Sequence, residues 1–404
     1  SGWVETTLGE VTAVNPGRLN GVSPDEVIRY VDISSVSWDG GIDVRSVAAM
    51  PFGQAPGRAR RPINEKDVVV STVRPRLRAM GQVPPSLAWQ VASTGLCVLR
   101  SHDPQVILPD YVWQVVRHQP FTDWLVERET GSNYPAVRSS DIEAYRFLLP
   151  PIEDQRRIVD LMSHVDSLRT AISEEAARVF AALCAFRDSI WNVPQRVPLS
   201  QYCRVDGGLV DPTGEGQRDR PHVGTDRIVS GTGDLIGVQS ASEDGVTSGK
   251  FEFSERHVVY SKIRPNLMKV AMPTFSGLCS ADAYPLLSAP GVPRRWLQQL
   301  LLTTEFTTLA VSQSGRTKMP KINQSALMGL MVPDIADEAR EEQAVVLDAL
   351  DALRVGLGEE LDALDRQRAA MLGSLLTGHH EIPCSYDKSV SYTHLRAHET
   401  VLDL

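Results

Sequence analysis

Two long stretches of the chain repeat apolar residues in steps of three and four positions, the spacing that places side chains on one face of a helix. They cover residues 150–192 and 333–376. Each stretch has one extra step of four, Ile172 to Ala176 in the first and Leu357 to Leu361 in the second, which indicates a stutter in a coiled-coil seam. Only Arg368 places a polar residue at a seam position. The seam positions are Ile158, Leu161, Val165, Leu168, Ile172, Ala176, Val179, Leu183, Phe186 and Ile190 in the first helix, and Val346, Leu350, Leu353, Leu357, Leu361, Leu364, Met371 and Leu375 in the second.

The matched stutters predict that the two helices pack on each other. If the two halves of the chain are related by a pseudo-two-fold axis, the helices run antiparallel. With a rise of 1.5 Å per residue, such a spacer is roughly 55 Å long. The alternative is that each helix packs only on the module that precedes it.

The rest of the chain also repeats, which makes it a tandem of one unit. Val68-Val-Val-Ser-Thr-Val-Arg-Pro-Arg-Leu77 recurs as Val258-Val-Tyr-Ser-Lys-Ile-Arg-Pro-Asn-Leu267, 190 residues later. Gly131-Ser-Asn-Tyr-Pro135 recurs as Gly315-Arg-Thr-Lys-Met-Pro320, with the two prolines 185 residues apart, and the helix block 165–175 recurs 185 residues later as 350–360. Each repeat is a module of mixed residues followed by a long helix.

The modules are predicted to be α/β, in the sense of mixed α+β. Asp67–Val73 and His257–Ile263 have the valine-rich composition of strands, and Tyr111–Val126 and Trp296–Val311 have helical patterns. The predicted domains are a first module at 1–149, a first spacer helix at 150–192, a second module at 193–332, a second spacer helix at 333–376 and a tail at 377–404.

The charge of the chain does not exclude a nucleic-acid partner, although its net value is −9. The second predicted helix, 333–376, carries 4 Lys and Arg against 11 Asp and Glu, whereas 193–332 carries 15 against 12 and 1–149 carries 15 against 16. The acidity therefore lies mainly in one helix, and the modules permit a local basic face.

The ends and the cysteines give further expectations. The start of the chain does not resemble a secretory signal, no apolar run approaches the length of a bilayer span, and the five cysteines are scattered, so a reduced cytoplasmic protein without disulfide or metal is expected. Residues 388–404 fit neither repeat and resemble translated vector or adapter sequence.

The sequence gives little indication of catalytic chemistry. No amino-methyltransferase Asn/Asp-Pro-Pro-Tyr motif, phosphate-binding loop, nuclease Glu-x-Lys arrangement or HExxH spacing is present, and Gly231–Gly237 has the wrong spacing for a dinucleotide loop. We therefore expect no catalytic residues, no metal site and no cofactor in this chain.

The repeated segments hold the candidate DNA-binding residues. Arg74, Arg76 and Arg78 alternate after a strand and are expected to share a face, although an ordinary solvated cluster is as plausible on the sequence. Arg58, Arg60 and Arg61 form a further basic run, for which simple solvation is favoured. The counterparts of the first cluster in the second module are Lys262, Arg264, Asn266 and Lys269.

Each glycine-proline loop suits either a DNA groove or a structural role in starting the following strand. Because these loops are common to both copies, contact with DNA phosphates or a structural role is favoured over sequence-specific contact with bases. The candidates are Ser132, Asn133, Tyr134 and Arg138 in the first loop, and Arg316, Thr317, Lys318 and Lys321 in the second.

With Pro150-Pro-Ile-Glu-Asp-Gln155 at the start of the first long helix, this tandem arrangement resembles the specificity subunits of type I restriction-modification systems. The resemblance covers Trp3 to about Gly378, and the second helix start is looser. It implies two target-recognition domains that each read half of a bipartite double-stranded DNA target. It also implies a helical spacer that docks two methyltransferase subunits and restriction-translocase subunits.

The resemblance further implies a non-catalytic recognition subunit, active in phage defence. Two alternatives remain open. One is an interaction scaffold that does not read DNA, and the other is a divergent nuclease or methyltransferase.

Overall fold

The computed structural model describes residues 2–17, 19, 21–37, 41–315, 319–380, 382–383 and 386. Within these, the chain divides into two compact units. The first comprises residues 1–171 and 361–404, and the second comprises 172–360. Each unit contains one α/β module and one half of each long helix. The predicted residues Arg316, Thr317 and Lys318 and the tail segment 388–404 lie outside the described residues.

The module of the first unit contains three small sheets, with strand orders β1-β10, β2-β9-β6-β7 and β4-β3-β8-β5. Its elements are β1 Val4–Thr7, α1 Leu8–Val11, β2 Thr12–Val14, β3 Val27–Val31, β4 Ala48–Pro51, β5 Ala59–Ile63, β6 Val68–Ser71, β7 Met80–Gln82, β8 Gln90–Ser93, β9 Leu96–Ser101, α2 Pro109–Arg117, α3 Gln119–Val126, α4 Ser139–Glu143 and β10 Arg146–Leu149. The first long helix, α5, spans Ile152–Ser189.

The module of the second unit repeats this plan, with strand orders β11-β21, β12-β20-β17-β18 and β13-β16-β19-β14-β15. Its elements are β11 Arg196–Pro198, β12 Cys203–Val205, β13 Leu209–Val210, β14 Pro221–Val223, β15 Gln239–Ser240, β16 Lys250–Phe253, β17 His257–Ser261, β18 Val270–Ala271, β19 Gly277–Cys279, β20 Ala283–Ser288, α6 Arg294–Leu301, α7 Thr304–Ser312, α8 Gln324–Met328 and β21 Met331–Pro333. The second long helix, α9, spans Asp337–Leu376.

The correspondence between the modules extends to strand direction. In both, the central strand of one sheet (β6 or β17) pairs antiparallel with two neighbours, and the other sheet contains one parallel pair, β3 with β8 or β14 with β19. The predicted tandem of mixed α/β modules with long helices is therefore confirmed.

The first unit also confirms the antiparallel packing of the helices. Asp166 of α5 binds Arg368 of α9, and Arg169, further along α5, binds Asp365, which lies earlier in α9. Ile158 and Leu372 belong to the same core as the first module, so the helices pack both on each other and on the module.

The predicted seam is exposed at one position in the first helix, Leu168, and at two in the second, Val346 and Leu353. Leu168 and its repeat counterpart Leu353 are 53% and 50% exposed, whereas two carboxylates that were not assigned to the seam, Asp166 and Asp351, are turned inward and each bind two arginines. A pattern of apolar residues cannot reveal a helix contact made by ion pairs.

The start of each long helix is held by a buried polar side chain. Gln155 donates to the carbonyls of Val106 and Pro150 and accepts from the backbone of Leu108. At the equivalent position in the second unit, Arg340 donates to the carbonyls of Ile335 and Gly291. Arg340 thus performs the same anchoring, which explains why the second helix start departs from the Pro-Pro-x-x-x-Gln element.

Candidate nucleic-acid interface

An unusual turn follows the central strand of the main sheet in each unit. In the first, Arg74 and Arg78 flank a 3₁₀ turn, Pro75–Leu77, and both have left-handed backbones with φ of 51° and 52°. Such a conformation costs a residue with a side chain roughly 1–2 kcal/mol. The turn is therefore strained at both ends.

The same strain recurs in the second unit. Arg264 and Met268 flank the 3₁₀ turn Pro265–Leu267, with φ of 46° and 48°. A serine at the end of the strand supports each turn, because the hydroxyls of Ser71 and Ser261 donate to the second carbonyl after them, over 2.8 and 3.0 Å. Strain that is built identically into both repeats is typical of functional sites.

The turn and the glycine-proline loop, far apart in the sequence, are joined in each unit by a backbone hydrogen bond. The N–H of Arg74 donates to the carbonyl of Pro135 over 2.7 Å, and that of Arg264 donates to Pro320 over 2.8 Å. We call each pair of segments an Arg-Pro site: 74–78 with 131–138 in the first unit, and 264–268 with Gly315 and residues 319–321 in the second.

The first Arg-Pro site presents an exposed cation on an exposed aromatic ring. The guanidinium of Arg74 lies 5.0 Å from the centre of the Tyr134 ring, and Tyr134 is 71% exposed. Gly131 has a φ of +96°, and a Cβ there would lie 3.2 Å from the carbonyl oxygen of Tyr134, so this loop conformation favours glycine. Ser132, Asn133 and Arg138 are also exposed.

The three arginines of the first turn do not share a face, and that expectation is wrong because the segment is a turn and not an extended strand. Arg76 is exposed but pairs with Glu129. Arg78 points inward, where it donates to Gln119 over 2.8 Å and to the carbonyl of Arg117. Only Arg74 and Arg76 therefore face solvent.

In the second unit, Arg264 and Asn266 are exposed, whereas Lys262, Lys269 and Lys321 each contact a neighbouring group. Lys262 lies 4.9 Å from the centre of the Tyr284 ring, Lys269 donates to the carbonyl of Thr225 and Lys321 pairs with Asp282 over 2.9 Å. Among the described residues of this site, the exposed arginine is Arg264, the counterpart of Arg74.

The basic run at the start of β5, formed by Arg58, Arg60 and Arg61, contacts other residues of its own module. Arg58 pairs with Asp32 over 3.3 Å, Arg61 donates to Asn15 and Arg60 lies against the ring of Phe52. Burial lowers the pKa of Arg61. These contacts favour a structural role for this run.

Other chemistry is sparse in the part of the chain that the structure describes. It contains no cluster of three or more His, Cys, Asp and Glu side chains that could hold a metal ion, and none of its helices is long and apolar enough to cross a membrane. Cys97, Cys184, Cys203 and Cys279 are free thiols, and burial raises the pKa of Cys97 to about 11.

The comparisons with known proteins agree with this architecture. No family model matches the chain. Over 275 residues it is 46% identical to the specificity subunit of the Escherichia coli type I restriction enzyme EcoDI, a match that covers 57% of this chain and 60% of that protein. The chain resembles the type I restriction specificity subunits.

Two solved structures share the fold over nearly their whole length. One, described as the structural basis underlying complex assembly and conformational transition of the type I R-M system, is 22% identical with a TM-score of 0.59, covering 93% of this chain and 98% of that one. The other, the type I restriction-modification S subunit from M. genitalium, is 11% identical with a TM-score of 0.51, covering 93% and 96%.

Proposed function

We propose that this chain is the non-catalytic, sequence-specific DNA-binding subunit of a type I restriction-modification complex, and that it works in the cytoplasm. Its two modules each read one half of a bipartite duplex target. The observation that supports the proposal is the pair of Arg-Pro sites. In each, a turn with left-handed backbone angles at both ends holds an exposed arginine, Arg74 or Arg264, beside a loop. A repeated recognition element on two modules matches a target read in two halves.

The chemistry of the sites supports duplex DNA as the ligand. An exposed arginine binds a phosphate or, as a bidentate donor, the major-groove edge of guanine. The exposed amides and hydroxyl of Asn133, Asn266 and Ser132 are suited to base edges, and Tyr134 offers an apolar surface. The modules differ in these side chains, so we propose that they read different half-sites.

The salt dependence of DNA affinity tests this function. Fluorescence anisotropy of the full chain with a labelled random duplex is expected to show a dissociation constant that rises steeply with salt, with a slope of about 0.9 in log–log form for each phosphate contacted. Absence of measurable duplex binding at low salt by a folded chain would favour the alternative scaffold role.

The long helices support the proposed partners, two methyltransferase subunits with restriction-translocase subunits joining them. Leu168 and Leu353 are half exposed at equivalent positions of the two repeats, and Val346, seven residues before Leu353, is exposed on the same side of α9. Large exposed apolar side chains at such positions are candidates for a protein interface. An exposed leucine that occurs once in each repeat suits two copies of the same partner.

Changing one of the two leucines is therefore expected to remove one partner. Leu168→Glu should lower the methyltransferase content of the purified complex from about two copies to about one per chain, because a charge in a buried apolar contact costs several kcal/mol. Native mass spectrometry gives the stoichiometry. The control is Leu209→Glu, at a leucine that is 63% exposed on strand β13. Two copies retained in Leu168→Glu would contradict this docking surface.

A further inference from the structure

A cavity of about 310 Å³ lies inside the first unit, between the end of the Arg-Pro turn, the junction of α2 and α3, and the paired helices. This volume is at the lower end of the range for small-molecule sites. Four arginines line it, namely Arg78, Arg117, Arg169 and Arg368. Their guanidinium groups come from four separate segments of the chain.

The described carboxylates that bind these arginines are fewer than the guanidinium groups, and of Asp166 and Asp365 only Asp365 lines the cavity itself. Asp166 binds both Arg117 and Arg368 over 2.6 Å, and Asp365 binds Arg169 over 2.7 Å. Arg78 donates to two neutral acceptors, the side chain of Gln119 and the carbonyl of Arg117. Asp123 lies beyond Gln119, which donates to it over 2.8 Å. Among the described residues, one carboxylate, Asp166, serves both Arg117 and Arg368, and Arg78 donates to neutral acceptors, so these three guanidinium groups carry more positive charge than Asp166 balances.

The titration of the lining groups is consistent with excess positive charge. Burial lowers the pKa of Arg78, and the charge of Arg368 lowers it further. Burial, and then the charge of Arg78, also lower the pKa of His118. A bound anion would raise both pKa values, opposite to the effect of the neighbouring arginines.

The second repeat shows that the fold does not require this charge. At the equivalent positions it has Met268 for Arg78, Leu302 for Arg117 and Leu183 for Arg368. Leu183 and Leu302 are buried in its apolar core, with Met268 packed against them. Three of the four arginines are thus specific to one repeat, and only Arg169 keeps an arginine counterpart, Arg354, so most of the positive charge of the cavity is not part of the shared scaffold.

The walls of the cavity are not uniformly polar. Met80 and Leu372 are buried at its surface, with 3% and 1% exposure, and Ala369 lies at its exposed rim. A ligand that fits has an anionic group for the arginines and an apolar or flat body for these side chains.

We propose that this cavity is a binding site for a small organic phosphate of the mononucleotide class, with the phosphate held by Arg78, Arg117 and Arg368. Arg78 ends the Arg-Pro turn, so an occupant contacts the same segment that holds Arg74. The site is separate from the proposed reading of DNA and does not depend on it.

Isothermal titration of the full chain with inorganic phosphate and with AMP tests the site. We expect both to bind, AMP more tightly because its body contacts Met80 and Leu372. Ala369→Glu, which places a carboxylate at the rim, should weaken binding at least tenfold, equivalent to about 1.4 kcal/mol. The matched control is Ala370→Glu, at the next exposed helix position and not among the lining residues, which should bind as the unchanged chain does.

The substitution Arg78→Met, which installs the residue of the second repeat, should weaken binding by a similar factor. No binding of phosphate or AMP at about 10 mM, the range of a very weak ligand, would overturn the proposal. Equal binding by Ala369→Glu and Ala370→Glu would also overturn it. If neither small ligand binds but Ala369→Glu weakens binding of a short duplex, the cavity takes a DNA phosphate and the proposed ligand class is wrong.

Discussion

The substitution Asp166→Ala is expected to destabilise the first unit by about 3 kcal/mol, because it leaves two arginines without their shared carboxylate. The side chains of Arg117 and Arg368 are only 15% and 8% exposed, and both bind Asp166 over 2.6 Å. Arg368 would keep only Gln114 among its partners in the described residues. Chemical denaturation monitored by circular dichroism measures the loss.

Asp362→Ala provides the control, because it removes an exposed carboxylate from α9 in the same unit and should change the stability by less than about 0.5 kcal/mol. An equal, small effect of both substitutions would show that the ion pairs do not hold the helices to the module.

The effect of Asp166 also depends on pH in a defined direction. Burial alone would raise its pKa, but the hydrogen bonds from Arg368 and Arg117 outweigh this and lower it below 3.8. A carboxyl with a lowered pKa in the folded state contributes stability above its ordinary pKa and loses it as the pH falls through the folded value. The difference between the unchanged chain and Asp166→Ala should therefore narrow below about pH 3.8.

Replacing Arg74 and Arg264 with alanine is expected to have the second large effect, on DNA affinity. An arginine that contacts a base or phosphate is worth about 1–3 kcal/mol, so each single substitution should weaken binding to the target duplex by about 5- to 150-fold. Since the two residues lie in different units and share no hydrogen bond or ion pair in the described structure, their effects should multiply.

Arg178→Ala controls for the loss of one positive charge, because Arg178 is an exposed arginine of α5 that pairs with Glu175. It should leave the affinity within about twofold of the unchanged chain. If Arg74→Ala and Arg264→Ala also leave the affinity for DNA within about twofold of the unchanged chain, the Arg-Pro sites are not part of the DNA interface.

The repeated segments and the long helices could be predicted because internal repeats and the spacing of apolar residues can be read directly from the sequence. The helical patterns at Tyr111–Val126 and Trp296–Val311 each contain two helices, separated by a short break. The first break is at His118, two residues before Pro120, and the second is at Thr303, whose hydroxyl accepts from the backbone of Phe306 and caps α7. Both signals are visible in the sequence, since a proline or a capping threonine inside a helical pattern starts a new helix.

The geometry of the site could be predicted only in part. The Arg-Pro turn and the glycine-proline loop are both candidate DNA-binding segments on the sequence, each with a structural alternative, but their junction through the N–H of Arg74 depends on a fold that the sequence does not specify. The inward direction of Arg78 follows from left-handed backbone angles that are rare for arginine. The basic cavity could not be anticipated, because its arginines are separated by up to 290 positions in the chain.

Genome-wide methylation mapping by long-read sequencing tests the central claim most directly. Cells that contain the cognate methyltransferase would be compared with and without this chain, and with a chain in which residues 1–149 are exchanged for the first module of another specificity subunit. The proposed function predicts a bipartite methylated motif that needs the chain, and an exchange that changes one half of the motif and leaves the other intact. No motif despite an active methyltransferase, or an exchange that alters both halves together, would contradict it.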